Sequence, residues 1–371
     1  MKISLVYIGT TGAGPVYSYE MARALANSHR CQLQVIVSEN VENLSVWKNE
    51  FENSNVSFHI VKTYKRNKLS VFLNTFNIVR KYRIYAIIKA FNPDVLYSPF
   101  VLLWERFLFG MLHKKTHNVT TIHDVKLHDS YHNIEELMTT FLNYGSMRFT
   151  DSIVLLNKKD LPYVEQKYKL PTIVIPHASF SYYVNNENID YHLKHSICFI
   201  GRIEPYKGLD LLVDAFEQVK TPGLSLVIAG KGNIEHYLLQ KIKGNEKITL
   251  INKYLSEEEI ANIIQKSDIA ILPYKRASQS GIIPLCFANG RMVIATNVGA
   301  LEEQIPQGTG ILINPSVEEI ALSIDKLYSQ PELICKYGKN AYDYAITQLT
   351  WEKSADILIN HLSSVLNKNT L

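Results

Sequence analysis

Short β-rich runs alternate with longer helix-length segments along this chain, twice over, and that alternation restricts its fold more than any other feature. ISLVYI, QLQVIV, DVLYSP, NVTTIHD, SIVLLN and TIVIP recur through the first half, each followed by a polar or amphipathic stretch. A second series, SICFIG, LSLVIAG, KITLIN, IAILPY, RMVIAT and GILINP, begins after Pro176. Strands separated by helices are joined by right-handed crossovers, so each series predicts a parallel sheet built from βαβ units. Between the series lies HASFSYYVNNENIDYHLK, which is polar, Asn-rich and aperiodic, as a linker is. The expected division is a first domain over residues 1–178, a linker over 179–192 and a second domain over 193–348. From Thr350 onward Trp351, Ala355, Ile357, Leu358, Leu362 and Val365 fall at helical spacing, so residues 349–371 form a last helix in need of a surface to cover. No repeat of 20 to 50 residues is evident, which excludes solenoids and propellers.

A length of 371 residues agrees with two domains, since a single core stops growing at roughly 250–300 residues. With 46% hydrophobic and 20% charged residues the chain has the composition of a globular enzyme. The opening MKISLVYIG leads from a short apolar run straight into a Gly-rich turn, so it reads as a first strand and not as a signal peptide. Cys31, Cys198, Cys286 and Cys335 are scattered without metal spacing and read as reduced residues of a cytosolic protein. Charge is uneven: residues 1–180 carry 21 Lys+Arg against 14 Asp+Glu, and the remainder 18 against 21. The excess gathers in Lys62, Lys65, Arg66, Lys68, Arg80, Lys81, Arg83 and Lys89, interleaved with Tyr64, Phe72, Phe76, Tyr82 and Tyr85. Such a stretch suits an anionic membrane surface, or else a solvated helix face.

Two segments carry chemistry. GTTGAGPVYSYEMARALA, from Gly9, places glycines where the first strand gives way to a helix, whose N-terminal N–H groups can receive a phosphate. Its glycines do not match the dinucleotide fingerprint GxGxxG, and a tight turn without a ligand is the alternative. FIGRIEPYKGLDLLVDAF, from Phe199, sets Arg202 and Lys207 beside Gly201 and Gly208 at the carboxyl edge of a strand, where open α/β sheets bind ligands. Two cations there suit a diphosphate; a pair of surface charges is the alternative.

GRIEPYKGLDLL, LVIAGKGN, IQKSDIAILPY and NGRMVIATNVGALEE together resemble the successive signatures of family-four retaining glycosyltransferases of the GT-B fold. The likeness covers nearly the whole chain and is more specific in the second half. It implies an α/β GT-B fold of two Rossmann-like, doubly wound parallel-sheet domains facing across a cleft. The first would bind the acceptor and the second the nucleotide-sugar, with the C-terminal helix from Trp351 crossing back to the first domain. By the same likeness Arg202 and Lys207 bind the donor diphosphate, and Gly12, Ala13 and Gly14 face its phosphates. His123, followed by Asp124, stands near the transferred sugar. Gly230, Asn252, Ser278, Ser280, Gly281, Ile282 and Glu303 fall in segments that meet the donor's sugar and nucleotide.

One departure concerns two glutamates that the family carries eight positions apart. Counting back from Gly290 puts Ala277 and Leu285 in their places, and a shift of one residue offers Ser278 and Cys286, so neither register supplies an acid. What remains is an SQSGII turn before a helix, with backbone N–H groups to offer. No HExxH, Asp-x-Asp, GxSxG or Walker sequence is present, so neither cofactor nor metal is expected and the diphosphate charge falls to Arg202, Lys207 and helix dipoles. The expected activity is hexosyl transfer, with retention, from a UDP- or GDP-type nucleotide-sugar to a glycan or lipid-linked acceptor. No nucleic-acid partner is expected, and the place is the cytoplasm or the inner face of its membrane. Abundant Lys, Asn, Ile and Tyr suggest an AT-rich bacterial genome, and in bacteria the resemblance implies surface polysaccharide or lipopolysaccharide synthesis. A sugar-nucleotide epimerase of like fold, or a scaffold with weakened catalysis, are the alternatives.

Overall fold

Strands covered on both faces read as unbroken apolar runs, and the computed structural model turns the two series into two all-parallel sheets. It describes residues 1–65, 74, 77–101, 104–125, 146–180 and 189–368. Arg66, Lys68, Phe72 and Phe76 of the basic stretch, and residues 181–188 of the expected linker, lie outside the described residues. The chain divides into two units, Met1–Pro176 with Trp351–Leu371, and His177–Thr350.

In the first unit β1 (Lys2–Tyr7), β2 (Gln32–Ser38), β3 (Ser57–Val61), β4 (Val95–Ser98), β5 (His117–Ile122), β6 (Ser152–Leu155) and β7 (Thr172–Val174) lie in the order β3-β2-β1-β4-β5-β6-β7. Registers such as Ile3↔Leu33 and Ile3↔Val95 pair apolar residues across the centre of the sheet. The intervening helices include α1 (Ala13–Asn27), α2 (Leu44–Phe51), α3 (Ile78–Phe91), α4 (Glu105–Leu112) and α5 (Leu161–Tyr168). Helix α3 is capped at its start by the Asn77 side chain, which accepts from Arg80 N–H, and ends on Asn92 in the left-handed region.

The second unit repeats the plan with β8 (Ser196–Ile200), β9 (Ser225–Ala229), β10 (Ile248–Ile251), β11 (Ile269–Leu272), β12 (Met292–Thr296) and β13 (Gly310–Ile313), ordered β10-β9-β8-β11-β12-β13. Its helices include α6 (Leu209–Phe216), α7 (His236–Gly244), α8 (Glu257–Gln265), α9 (Ile282–Ala288), α10 (Leu301–Gln304), α11 (Val317–Tyr328) and α12 (Pro331–Gln348). Helix α8 starts on a reciprocal capping box: Ser256 Oγ accepts from Glu259 N–H at 3.2 Å, and the Glu259 carboxylate accepts from Ser256 N–H at 2.8 Å. In both sheets the order reverses at the first strand of the series, so a crevice opens at the carboxyl ends of β1 and β4 and again at those of β8 and β11.

The last helix, α13 (Trp351–Lys368), belongs to the first unit. Trp351, Ala355, Leu358 and Leu362 are buried, and the Trp351 ring meets Tyr17 of α1 edge-on at 5.0 Å. Arg30 donates to Asp356 and to Asn360, each at 2.7 Å. His361 Nε2 lies 3.3 Å from Ser152 Oγ, which is itself 2.7 Å from His117 Nε2.

Candidate functional site

In the second unit the chain leaves β8 through Gly201, at φ 133°, and Arg202. It then makes a short 3-10 turn over Pro205–Lys207 and enters α6 from Gly208, at φ 66°. Lys207 therefore does not open the helix: left-handed Gly208 separates the lysine from α6. A Cβ on Gly208 would strike the Pro273 carbonyl, so this loop is seated against the end of β11. A Cβ on Gly201 would lie 2.8 Å from Lys207 Nζ, which places the ammonium directly over that glycine. Lys207 Nζ donates to the Tyr274 hydroxyl at 3.3 Å and stands 5.0 Å from the centre of its ring. Arg202 remains largely exposed, its guanidinium 4.0 Å from Glu204.

Neighbouring loops complete this edge. Gly230, at φ 147°, lets the β9 loop touch the Gly201 carbonyl, where a Cβ would collide. Asn252, expected against the donor, holds Gly232 with its carboxamide, donating to the carbonyl at 3.0 Å and accepting from the N–H at 3.1 Å. In the turn before α9, Ser280 is buried and its Oγ lies 3.3 Å from the Tyr274 hydroxyl, while Ile282 N–H donates to the same Oγ at 3.3 Å. The Ser280 peptide is gripped at both ends by Gln304, which accepts from its N–H at 2.7 Å and donates to its carbonyl at 3.0 Å. Glu303 beside it is exposed on α10, and Ser278 and Gly281 flank the gripped residue. Leu285, one position aligned with a missing glutamate, is 3% exposed within the core, where a carboxylate would have to lose its hydration.

Sequence reasoning missed Tyr274, Gln304 and His177. Tyr274 ends an apolar strand and reads as core, and nothing in the spacing of Gln304 points to Ser280. His177 is buried with Nδ1 2.8 Å from the Ala178 carbonyl, and a Cβ on Gly281 would sit 3.6 Å from its Nε2. Burial holds its pKa below the ordinary histidine range, which favours the neutral ring.

The first unit brings its own expected residues to the carboxyl edge of its sheet. Gly12, at φ 92°, precedes α1, and its N–H donates to the Glu42 carboxylate at 3.0 Å. Gly9 and Gly14 are needed for packing, since a Cβ on either would run into the Tyr7 hydroxyl beneath the loop. Burial, then the nearby Tyr64 and Glu42, push the Tyr7 phenol upward. Ala13 is exposed at the first position of α1. His123 follows β5, stacked on Phe100 at 3.7 Å and edge-on to Tyr17 at 4.6 Å. Its Nε2 is 2.9 Å from the Pro99 carbonyl. Because a carbonyl only accepts, Nε2 carries the proton and Nδ1 keeps the lone pair in the neutral ring. Asp124 next to it is exposed. Among the described residues no group of three or more His, Cys, Asp or Glu gathers to hold a metal.

Two doubly wound parallel sheets, the second with two cations and glycine-opened loops at its strand reversal, make up a GT-B architecture. Residues 194–330, within the second unit, match the family model described as glycosyl transferases group 1. The chain is 29% identical over 152 residues to the alpha-D-kanosaminyltransferase of Streptomyces kanamyceticus, a match spanning 39% of this chain and 39% of that relative's length. An uncharacterized glycosyltransferase of Methanocaldococcus jannaschii is 26% identical over 315 residues, covering 82% of this chain and 84% of its own. Among solved structures, Anabaena HepE in complex with UDP and glucose superposes with a TM-score of 0.73 at 15% identity, over 98% of this chain and 100% of that one, a likeness of fold.

Proposed function

We propose that the chain transfers a hexosyl group, with retention of configuration, from a UDP- or GDP-type nucleotide-sugar to a glycan or lipid-linked acceptor. The observation that carries this reading is the Lys207 ammonium held over Gly201 at the strand reversal of the unit that matches the group 1 model. A diphosphate leaving group gathers charge as the glycosidic bond breaks, so fixed cations and N–H donors lower that barrier. Lys207 is already oriented by Tyr274, and exposed Arg202 can fork onto two phosphate oxygens. Ser278, Gly281, Ile282 and Glu303 border the same edge and are assigned to the sugar and nucleotide, with no metal in the scheme. From the acceptor-side unit, Gly12, Ala13 and Gly14 are assigned to the donor diphosphate, and His123 and Asp124 to catalysis at the transferred sugar. That HepE is seen with UDP and glucose supports a donor of this class.

We further place the acceptor at an anionic membrane surface, in a bacterial surface-polysaccharide or lipopolysaccharide route. Helix α3 exposes Ile78, Val79 and Tyr82, at 67%, 65% and 55%, beside exposed Arg83 and Lys89. Calorimetric titration with UDP and GDP tests the donor assignment. Arg202→Ala and Lys207→Ala should each weaken nucleoside diphosphate binding about 10- to 100-fold, the range of one charge-assisted hydrogen bond. Arg202→Lys should recover only part of it, because an ammonium lacks the planar fork. Unchanged affinity in both alanine variants, with folding intact, would remove the donor site.

A further inference from the structure

Gln304 lies on the short helix α10, outside every residue assigned to the donor, yet it makes both hydrogen bonds to the Ser280 peptide. Hydrogen bonds of 2.7 and 3.0 Å to the N–H and the carbonyl of Ser280 fix the two peptide groups on either side of its Cα, as a neighbouring strand would. From Ser280 the connection continues through its Oγ to the Tyr274 hydroxyl at 3.3 Å, and from that hydroxyl to Lys207 Nζ at 3.3 Å. Ser280 and Tyr274 are both buried, at 5% and 2% exposure, so few alternative partners compete for these hydroxyls. Lys207 ends a flexible four-carbon stem, and without a tether its ammonium samples many rotamers.

We propose that Gln304 is a positioning residue that sets the Lys207 ammonium for a nucleoside diphosphate, acting through the Ser280 peptide and the Tyr274 hydroxyl. The proposal rests on the donor-site reading above. In it Gln304 touches no ligand: it fixes Ser280, Ser280 Oγ fixes the direction of the Tyr274 O–H group, and that oxygen holds the lysine. The turn that replaces the family's glutamates would thus govern the cation across the crevice, and a change at residue 304 would be read at residue 207.

A double-mutant cycle tests this coupling, with UDP, GDP and ADP as calorimetric probes on the full chain. Gln304→Leu should weaken binding of the probe that the unaltered chain takes by about tenfold, and by less than about twofold when introduced together with Lys207→Ala. Tyr274→Phe and Ser280→Ala, which each remove one hydroxyl and keep the packing, should show the same dependence on Lys207 and carry the test if Gln304→Leu does not fold. Gln304→Glu should fail to restore binding, since a carboxylate accepts from the Ser280 N–H but cannot donate to its carbonyl. Losses that add independently of Lys207, or no loss at all, would overturn the positioning role while leaving the donor site standing. A chain that binds none of the three probes would overturn the donor site itself.

Discussion

His123 shows how a residue's neighbours set its chemistry. The imidazole is wedged between Phe100 and Tyr17 and holds a main-chain carbonyl through Nε2, so its ring plane and tautomer are decided before any ligand arrives. His123→Ala should lower turnover by about 10²- to 10⁴-fold, the usual contribution of a proton-handling or hydrogen-bonding group at a reacting centre, with little change in nucleoside diphosphate affinity. His123→Phe keeps the aromatic packing and removes both nitrogens, so it should be as slow as the alanine variant. Steady-state kinetics beside calorimetry separates the two cases: turnover restored by phenylalanine would make His123 a packing residue. Single residues were legible where their type and place coincide, as for Arg202 and Lys207 beside glycines at a strand end. They were illegible where a side chain's partner is distant in sequence, as Gln304 is to Ser280 and Asn252 to Gly232.

At the scale of elements, the terminal helix carries a titratable seam. His361 of α13 and His117 of β5 flank Ser152 Oγ, and both imidazoles are held below the ordinary histidine range, His117 by burial against the opposing pull of Asp151, His361 by burial and by His117. A base with a depressed folded-state pKa binds fewer protons folded than unfolded, so stability is present above the ordinary histidine pKa and falls as pH drops through it. The thermal midpoint should therefore decline between about pH 7.5 and 5.5, and His361→Gln should flatten that decline, since model histidine titrates near 6.5. Scanning calorimetry across that range decides it, and an equally steep decline in the variant would place the sensitivity elsewhere. The strands were plain in the sequence because each is a short apolar run. The 3-10 turn at Pro205–Lys207 was not, because its end depends on the left-handed Gly208 fitting against the Pro273 carbonyl.

For the whole molecule, charge divides along the chain, with the excess of Lys and Arg in residues 1–180. Each basic residue near an anionic leaflet contributes about 1 kcal/mol, so the exposed side of α3 should bind vesicles of phosphatidylglycerol and not of phosphatidylcholine. Arg83→Glu with Lys89→Glu should abolish co-sedimentation, and binding should weaken with salt. Failure of the unaltered chain to sediment at low salt would exclude this surface. The two sheets and the last helix were readable as periodicity, whereas the helix's return to the first unit was implied only by the family resemblance. The loop contacts that shape each crevice were not, since the residues that clamp them meet only after folding.

The division of the chain has a consequence for how it is made. The first unit takes residues from both ends of the sequence, and the second occupies one unbroken stretch, His177–Thr350, inserted within it. On the ribosome the second unit can finish as soon as its own residues emerge. The first waits, with the side of α1 that Trp351 and its neighbours cover still wet, until the final helix is synthesised. A premature stop that removed residues 351–371 would therefore damage the half of the protein translated earliest, and spare the half translated just before the break.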